Sequence, residues 1–341
     1  MTEPNVERVD KLIVYNNQSL GDIVMMTAAA RDVKTRFPGT QIDVRGPFLD
    51  IWENNPHLSK LPDPKDDPSV KALQLNYPLI AQSNTHPYHF IHGMRMYIEQ
   101  VIGQMIPQGV FRGDIHLTPW ERENHGFLSK FGIEKPGYWL IISGGKDDFT
   151  TKIFDHEKNQ AIVDKLQGKI RFVQVGGKDC SEHHYKHLHK DLNGVVNLVG
   201  KTSVRELIQL VYWSDGVICP ITGLMHLAPA IPHWRGARYE RAGVVLAGGR
   251  ETPQWEQYPF HRYLHTVGCL KCCSTQGCWI SRVTPLGDEP KDRRQTFCHL
   301  PVVKPSGQVV AGCLDMMSVD YILNEIDWYF RGSNSVYKYE S

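Results

Sequence analysis

Leu12-Ile13-Val14-Tyr15 is a short run of β-forming residues. Asn16-Asn17-Gln18-Ser19-Leu20-Gly21 is polar and turn-prone, and a long segment then continues to Pro38-Gly39 before Gln41-Ile42-Asp43-Val44 resumes the apolar pattern. That order reads as strand, loop, helix, strand. In the helical part Ile23, Met26, Ala30, Val33 and Phe37 recur at steps of three and four, which predicts an amphipathic helix with one face laid against a sheet. A βαβ unit of this kind carries its two strands in parallel.

The alternation returns later. Tyr138 to Ser143 reads as a strand, 156–167 as a helix, Arg171 to Val175 as a strand and Ser203 to Tyr212 as a helix. Gly216 to Cys219 (strand), Thr222 to Ala230 (helix) and Gly243 to Ala247 (strand) complete the series. Such repetition is a doubly wound α/β domain. Between the two series, helices are expected near 89–104 and 120–131. Ser318 to Phe330 reads as a last helix with Val319, Ile322, Ile326 and Phe330 on one face. A length of 341 residues suits two domains rather than one, here 1–135 and 136–315, followed by 316–341.

Apolar residues at 41% and charged residues at 22% describe a water-soluble globular protein. A formal net charge of +1 supplies no global field for polyanions, so nucleic acid is not an expected partner. The polar start, Met1 to Lys11, and the lack of any apolar run of about 20 residues give a cytoplasmic expectation with no membrane span.

Three segments carry chemistry. Ser19-Leu20-Gly21-Asp22 places a glycine at a tight turn and a carboxylate in the first turn of the helix, at the C-terminal edge of a strand. Asp22 there either caps its helix or faces a cleft as a functional group. Asn197-Leu198-Val199-Gly200-Lys201-Thr202-Ser203, with Glu206-Leu207, precedes Thr222-Gly223-Leu224-Met225-His226-Leu227-Ala228. A helix starting at Thr222-Gly223 aims free N–H groups above the sheet, which suits a diphosphate; a plain cap with a core histidine is the alternative. Ser143-Gly144-Gly145-Lys146 to Lys152 is a glycine-turned loop with two lysines, and a solvated loop lysine is the ordinary alternative there. Gly176-Gly177-Lys178 and Gly248-Gly249-Arg250 end further strands and are expected to shape the same cleft.

The Ser19-x-Gly21-Asp22 start with Ala29, the Phe37 to Val44 stretch, and the paired Asn197 and Thr222 segments together resemble the heptosyltransferases of glycosyltransferase family 9. The resemblance is clear over 12–44 and 138–313. It implies a GT-B fold: α/β, two facing Rossmann-like domains with parallel sheets, the acceptor on 1–135 and the donor on 136–315. It also implies that helix 316–341 returns to the first domain. The activity implied is inverting transfer of a heptose-type sugar from an ADP-heptose-like donor to an acceptor hydroxyl on a glycan, protein or small molecule. Asp22 would be the catalytic base. Gly21, Lys152, Thr222, Gly223, Met225 and His226 would hold the donor, with Lys152 offsetting charge on the departing diphosphate in place of a catalytic divalent metal. Ile221 stands where many relatives carry aspartate, so a contact made by that aspartate is missing here.

Six of the eight cysteines fall between Cys269 and Cys313. Cys269-x-x-Cys272, with Cys298 and Cys313 later, offers four thiolates to one tetrahedral ion, against the alternative of free buried thiols. The segment also resembles the iron-binding cysteine finger of autotransporter heptosyltransferases. The expectation is a structural zinc or iron on Cys269, Cys272, Cys298 and Cys313, with Cys278 as a substitute. Asn84 to His92, with three histidines and two aromatics, reads equally as an acceptor pocket or as a loop packed on the next helix. Two rival functions are a sugar-nucleotide epimerase on the same fold and a zinc-ribbon nucleic-acid binder supported by the CxxC, Lys291, Arg293 and Arg294.

Overall fold

The computed structural model describes residues 9–179, 186–288 and 292–331; Lys291 and the chain beyond 331 lie outside them. Leu12, Ile13 and Val14 are all buried, because β1 (Lys11–Tyr15) is covered on both faces. Leu12 and Val14 face the main core, while Ile13 packs with Leu61 and Val70 on the other side. α1 (Leu20–Arg36) and β2 (Gln41–Arg45) follow as expected. β3 (Val70–Gln74) completes a parallel sheet in the order β2-β1-β3. α2 (Phe90–Ile102) packs on α1.

The helix expected over 120–131 is two short pieces, α3 (Pro119–Glu123) and α4 (Gly126–Ser129). The Thr118 hydroxyl caps α3 by accepting the Glu121 N–H, and Asn124 ends it. The second unit runs β4 (Tyr138–Ile141), β5 (Gly144–Lys146), α5 (His156–Leu166), β6 (Phe172–Gln174), β7 (His187–His189), β8 (Val196–Asn197) and α6 (Val204–Tyr212). It continues through β9 (Ser214–Pro220), α7 (Gly223–Ala230), β10 (Ala242–Gly248), α8 (Pro253–Glu256) and β11 (His261–His265). Six of these strands form one parallel sheet, β11-β10-β9-β4-β6-β8, and β5 pairs antiparallel with β7. An antiparallel hairpin, β12 (Pro301–Val303) and β13 (Val309–Ala311), leads through α9 (Gly312–Asp315) to α10 (Val319–Phe330).

Two expectations change. α1 is not one-sided: Gly21 to Ala30, Asp32 and Val33 are all buried, because α2 covers one flank and α7 the other. In turn, α10 packs on α5 and β10 of the second sheet, so residues 319–331 do not return to the first unit. Its buried face is Ile322, Ile326 and Tyr329, while Phe330 is exposed. The Tyr329 hydroxyl fixes this by donating to Phe260 O at 2.6 Å while accepting from the Arg262 N–H.

Candidate active site

The strand order of the second sheet reverses between β4 and β9, with β6 and β8 to one side and β10 and β11 to the other. Loops leaving the C-terminal ends of two such strands diverge and open a crevice, the usual ligand position in these sheets. Lys152 lies in the turn after β5, in the connection that leaves β4, Thr222 after β9, and Gly249 to Thr252 after β10. The N-terminus of α1 meets them from the other unit. The meeting is close: a Cβ on Gly21 would lie 2.6 Å from His226 Cδ2, and one on Gly223 would lie 2.7 Å from Leu20 Cδ2. Both glycines are needed for α1 and α7 to touch.

Asp22 is 8% exposed. Its carboxylate accepts the Ser19 N–H at 2.9 Å, so it does cap its own helix. It also stands in a buried ionisable cluster. Burial pushes its carboxyl up to about 6, Glu256 adds to the rise, and His226, the Ser19 N–H and Lys152 oppose it. A carboxyl poised there is ionised at neutral pH yet basic enough to take a proton. His226 Nε2 lies 3.2 Å from Glu256 Oε2, and its Nδ1 is 2.9 Å from the Tyr258 hydroxyl. Burial pulls His226 down to about 4, leaving the ring neutral. The consistent assignment has Nδ1 accepting from the Tyr258 hydroxyl, which leaves the proton on Nε2, the atom that faces Glu256. Burial pushes the Glu256 carboxyl up.

Lys152 is not a solvated lysine. Its Nζ pairs with Glu251 Oε1 at 2.8 Å, and the Arg250 guanidinium meets the same oxygen. Burial and then the charge of Arg250 pull its ammonium down, against Glu256, Asp22 and Asp148. The Phe149 ring lies 5.4 Å from Lys152 Nζ and 5.1 Å from Arg250 Cζ. Two cations thus share one carboxylate in the crevice, and an added anionic group would relieve their mutual repulsion.

The structure therefore brings Gly21, Asp22, Lys152, Thr222, Gly223 and His226 to one place. Met225 is different: it is fully buried in the apolar core. Glu251, Glu256 and Tyr258 join the site without having been singled out in the sequence, and a carboxylate directly after Gly248-Gly249-Arg250 was the available signal. Asn84 to His92 makes packing contacts, and its His89 ring lies 5.0 Å from that of Tyr258. His89 caps α2 by accepting the Ile91 N–H, and the Asn84 amide bonds Gly277 and the Trp279 indole. This segment fastens the first unit to the cysteine region.

In that region Cys272, Cys273, Cys278, Cys298 and Cys313 line one cavity of ≈ 10 Å³, room for one water-sized sphere. Cys269 does not line it and is exposed. The turn Lys271–Cys273 carries Cys273 inward in its stead, with the Cys273 carbonyl accepting the Gly268 N–H at 2.7 Å. Burial raises the Cys272 and Cys278 thiols and pushes Cys313 up to about 11. Among the described residues no three cysteine sulfurs lie within 4.8 Å of one another. The donor set suits a soft or borderline cation, but its spacing exceeds the edge of about 3.8 Å expected for bonds of about 2.3 Å to sulfur.

Residues 82–233, just under half of the chain, match the profile of glycosyltransferase family 9 (heptosyltransferase). The chain is a glycosyltransferase. The match contains Lys152 and Thr222 to His226, and includes neither Asp22 nor the six cysteines from Cys269 to Cys313. Among solved structures, the family 9 glycosyltransferase of Veillonella parvula is similar at 12% identity and a TM-score of 0.55, over 77% of this chain and 88% of that one. ADP-heptose LPS heptosyltransferase II of E. coli matches at 12% and 0.55, over 95% and 100%. The iron-containing, dodecameric heptosyltransferase TibC of enterotoxigenic E. coli, in complex with ADP-D-β-D-heptose, matches at 15% and 0.60, over 96% and 78%. At such identities these likenesses speak for the GT-B fold. No curated protein matches the chain in sequence. Among the described residues no helix is long and apolar enough to cross a membrane.

Proposed function

We propose that this glycosyltransferase moves a heptose from an ADP-heptose-like donor to an acceptor hydroxyl, with inversion at the anomeric carbon. The carrying observation is Asp22, a carboxyl held near neutrality beside His226, Glu256 and Lys152 at the reversal point of the donor-side sheet. The acceptor oxygen attacks the anomeric carbon, its proton passes to the Asp22 carboxylate, and the bond to the diphosphate breaks on the opposite face. Lys152 and Arg250 offset the charge left on the diphosphate. Glu256, through His226, is a positioning group for the Asp22 environment. The TibC complex with ADP-D-β-D-heptose supports this donor. The epimerase and zinc-ribbon readings gain no support from the matches.

Incubation with ADP-heptose and a sugar acceptor is expected to release ADP only when both are present; release from neither ADP-heptose nor any other nucleotide sugar would overturn the reading. Lys152→Ala is expected to raise the donor Kd and lower kcat together, because the ammonium meets negative charge in both ground and transition states. An effect confined to acceptor KM would remove Lys152 from the diphosphate.

The proposal includes a structural zinc or iron among the cysteines, supported by the five that line one small cavity and by the iron of TibC. Cys272, Cys298 and Cys313 remain ligands in this reading, with Cys273 or Cys278 in place of Cys269. Elemental analysis should find about one such metal per chain. Cys272→Ser should lose it and lower Tm while leaving the pH profile of transfer unchanged. A metal-free protein of unchanged Tm would refute this part alone.

A further inference from the structure

Gly113, Ile115 and Leu117 are buried, and Asp114 and His116 are half-buried between them. That period of two places the Asp114 and His116 side chains on the same side of the segment joining the two units. His57 comes to the same point from the first unit. Asp114 Oδ2 is 3.2 Å from His57 Nε2 and 2.9 Å from His116 Nε2. All three ligand-type atoms lie within 4.8 Å of one another, the one such trio of His, Cys, Asp or Glu among the described residues. We propose that His57, Asp114 and His116 bind a divalent cation of the zinc class, at a site separate from the transfer crevice.

Two imidazole nitrogens and a carboxylate oxygen are the donor set of borderline divalent ions. With bonds of about 2.0–2.1 Å to nitrogen and oxygen, the edge of a tetrahedron is about 3.3 Å, so the separations of 3.2 and 2.9 Å require little adjustment. The backbone around each ligand is already fixed. The Asp114 N–H donates to Thr27 Oγ1 at 2.7 Å, the His116 carbonyl accepts from Arg205 at 2.9 Å, and the His57 N–H donates to Asn55 Oδ1 at 2.9 Å. The Asn55 amide in turn donates to the Asp114 carbonyl at 3.4 Å. Side-chain exposures of 23% for His57, 21% for Asp114 and 28% for His116 leave an entry path and a fourth position for water. Arg31, whose charge bears on His57 and Asp114, has its guanidinium occupied by Asp32 and by the carbonyls of Val110 and Arg112. A bound ion would pin the joining segment to the loop after the turn Leu49–Trp52, and each imidazole would carry its proton on Nδ1.

The test is a Co²⁺ titration of EDTA-treated full-length protein, followed by absorption and by metal content after gel filtration. Thiolate-bound cobalt shows a near-ultraviolet charge-transfer band, whereas a nitrogen–oxygen site shows only visible bands. The expected result is one equivalent without the thiolate band, weakened by more than about 10-fold in His116→Ala and in the milder Asp114→Asn, since even outer-shell partners change affinity by about 10–100-fold. Cys272→Ser should leave that equivalent untouched, which separates this site from any metal on the cysteines. Absence of a nitrogen–oxygen equivalent, or its persistence in both variants, would show the trio to be an ion pair only.

Discussion

Asp22→Asn should lower transfer at least ~100-fold, the scale of a positioned general base, while leaving donor binding nearly intact. The pH profile identifies the cause. With the Asp22 carboxyl at about 6, kcat/KM of the wild type should fall as the pH drops through about 6, because the protonated acid cannot accept a second proton. In Asp22→Asn the residual rate should lack that limb. Folding should respond in the opposite sense. The folded-state value lies above the unfolded 3.8, so the native state binds more protons between those two values and its stability falls as pH rises through that window. Asparagine is neutral like the protonated acid and escapes the loss, so Tm at pH 8 should be unchanged or higher in the variant. Near-normal turnover, or a collapse of Tm at pH 8, would remove Asp22 from the mechanism.

The βαβ opening was legible because hydrophobic period is a local property: Leu12 to Tyr15 and Ile23 to Phe37 need no distant partner to declare their type. The extents of α7 and of α6, expected over Thr222 to Ala230 and Ser203 to Tyr212, were legible for the same reason. β3 was not. Val70-Lys71-Ala72-Leu73-Gln74 holds only two strongly apolar residues, and it becomes a strand because the edge of β1 is there to pair with it. β8, at two residues, exists only through β6. The one-sided reading of α1 failed because Val24, Met25, Ala28 and Ala29, which lie off the Ile23 to Phe37 stripe, are buried as well, with α7 packed on the helix.

Site residues divide along the same line. Asp22, Lys152 and the Thr222 start lie at predictable places, the ends of strands and the first turns of helices. Glu251 and Glu256 acquire meaning only from what they face: Lys152 and Arg250 for one, His226 for the other. Sequence spacing likewise favoured Cys269 for the cysteine cavity, as the first half of a CxxC. Cys269 precedes the turn Lys271–Cys273 and stays exposed, whereas Cys272 and Cys273, both carried by that turn, line the cavity.

Arg205→Ala should destabilise the fold by about 3–5 kcal/mol, because it strands a buried carboxylate. Arg205 of α6 meets Glu121 of α3 through two parallel bonds, Nε to Oε1 and Nη2 to Oε2, both 2.6 Å. The pair is only 9% and 6% exposed. Nη2 also donates to His116 O at 2.9 Å, so one side chain of the second unit holds the helix and the joining segment that precede it. Glu121 further accepts the Thr118 N–H at 2.8 Å. Burial raises its carboxyl, but the bonds from Arg205 and Thr118 outweigh this and hold it below its ordinary value of 4.5. A folded-state value below the unfolded one means that the stabilisation is present above that unfolded value and is lost as pH falls through the folded one. The Tm gap between wild type and Arg205→Ala should therefore narrow in acid. Arg205→Lys should recover only part of the loss, since an ammonium cannot make the paired bonds. Arg205→Ala with Glu121→Ala should be less damaging than the sum of the two single changes, since no charge is left unpaired. Additive losses with no pH dependence would mean that the pair contributes packing alone.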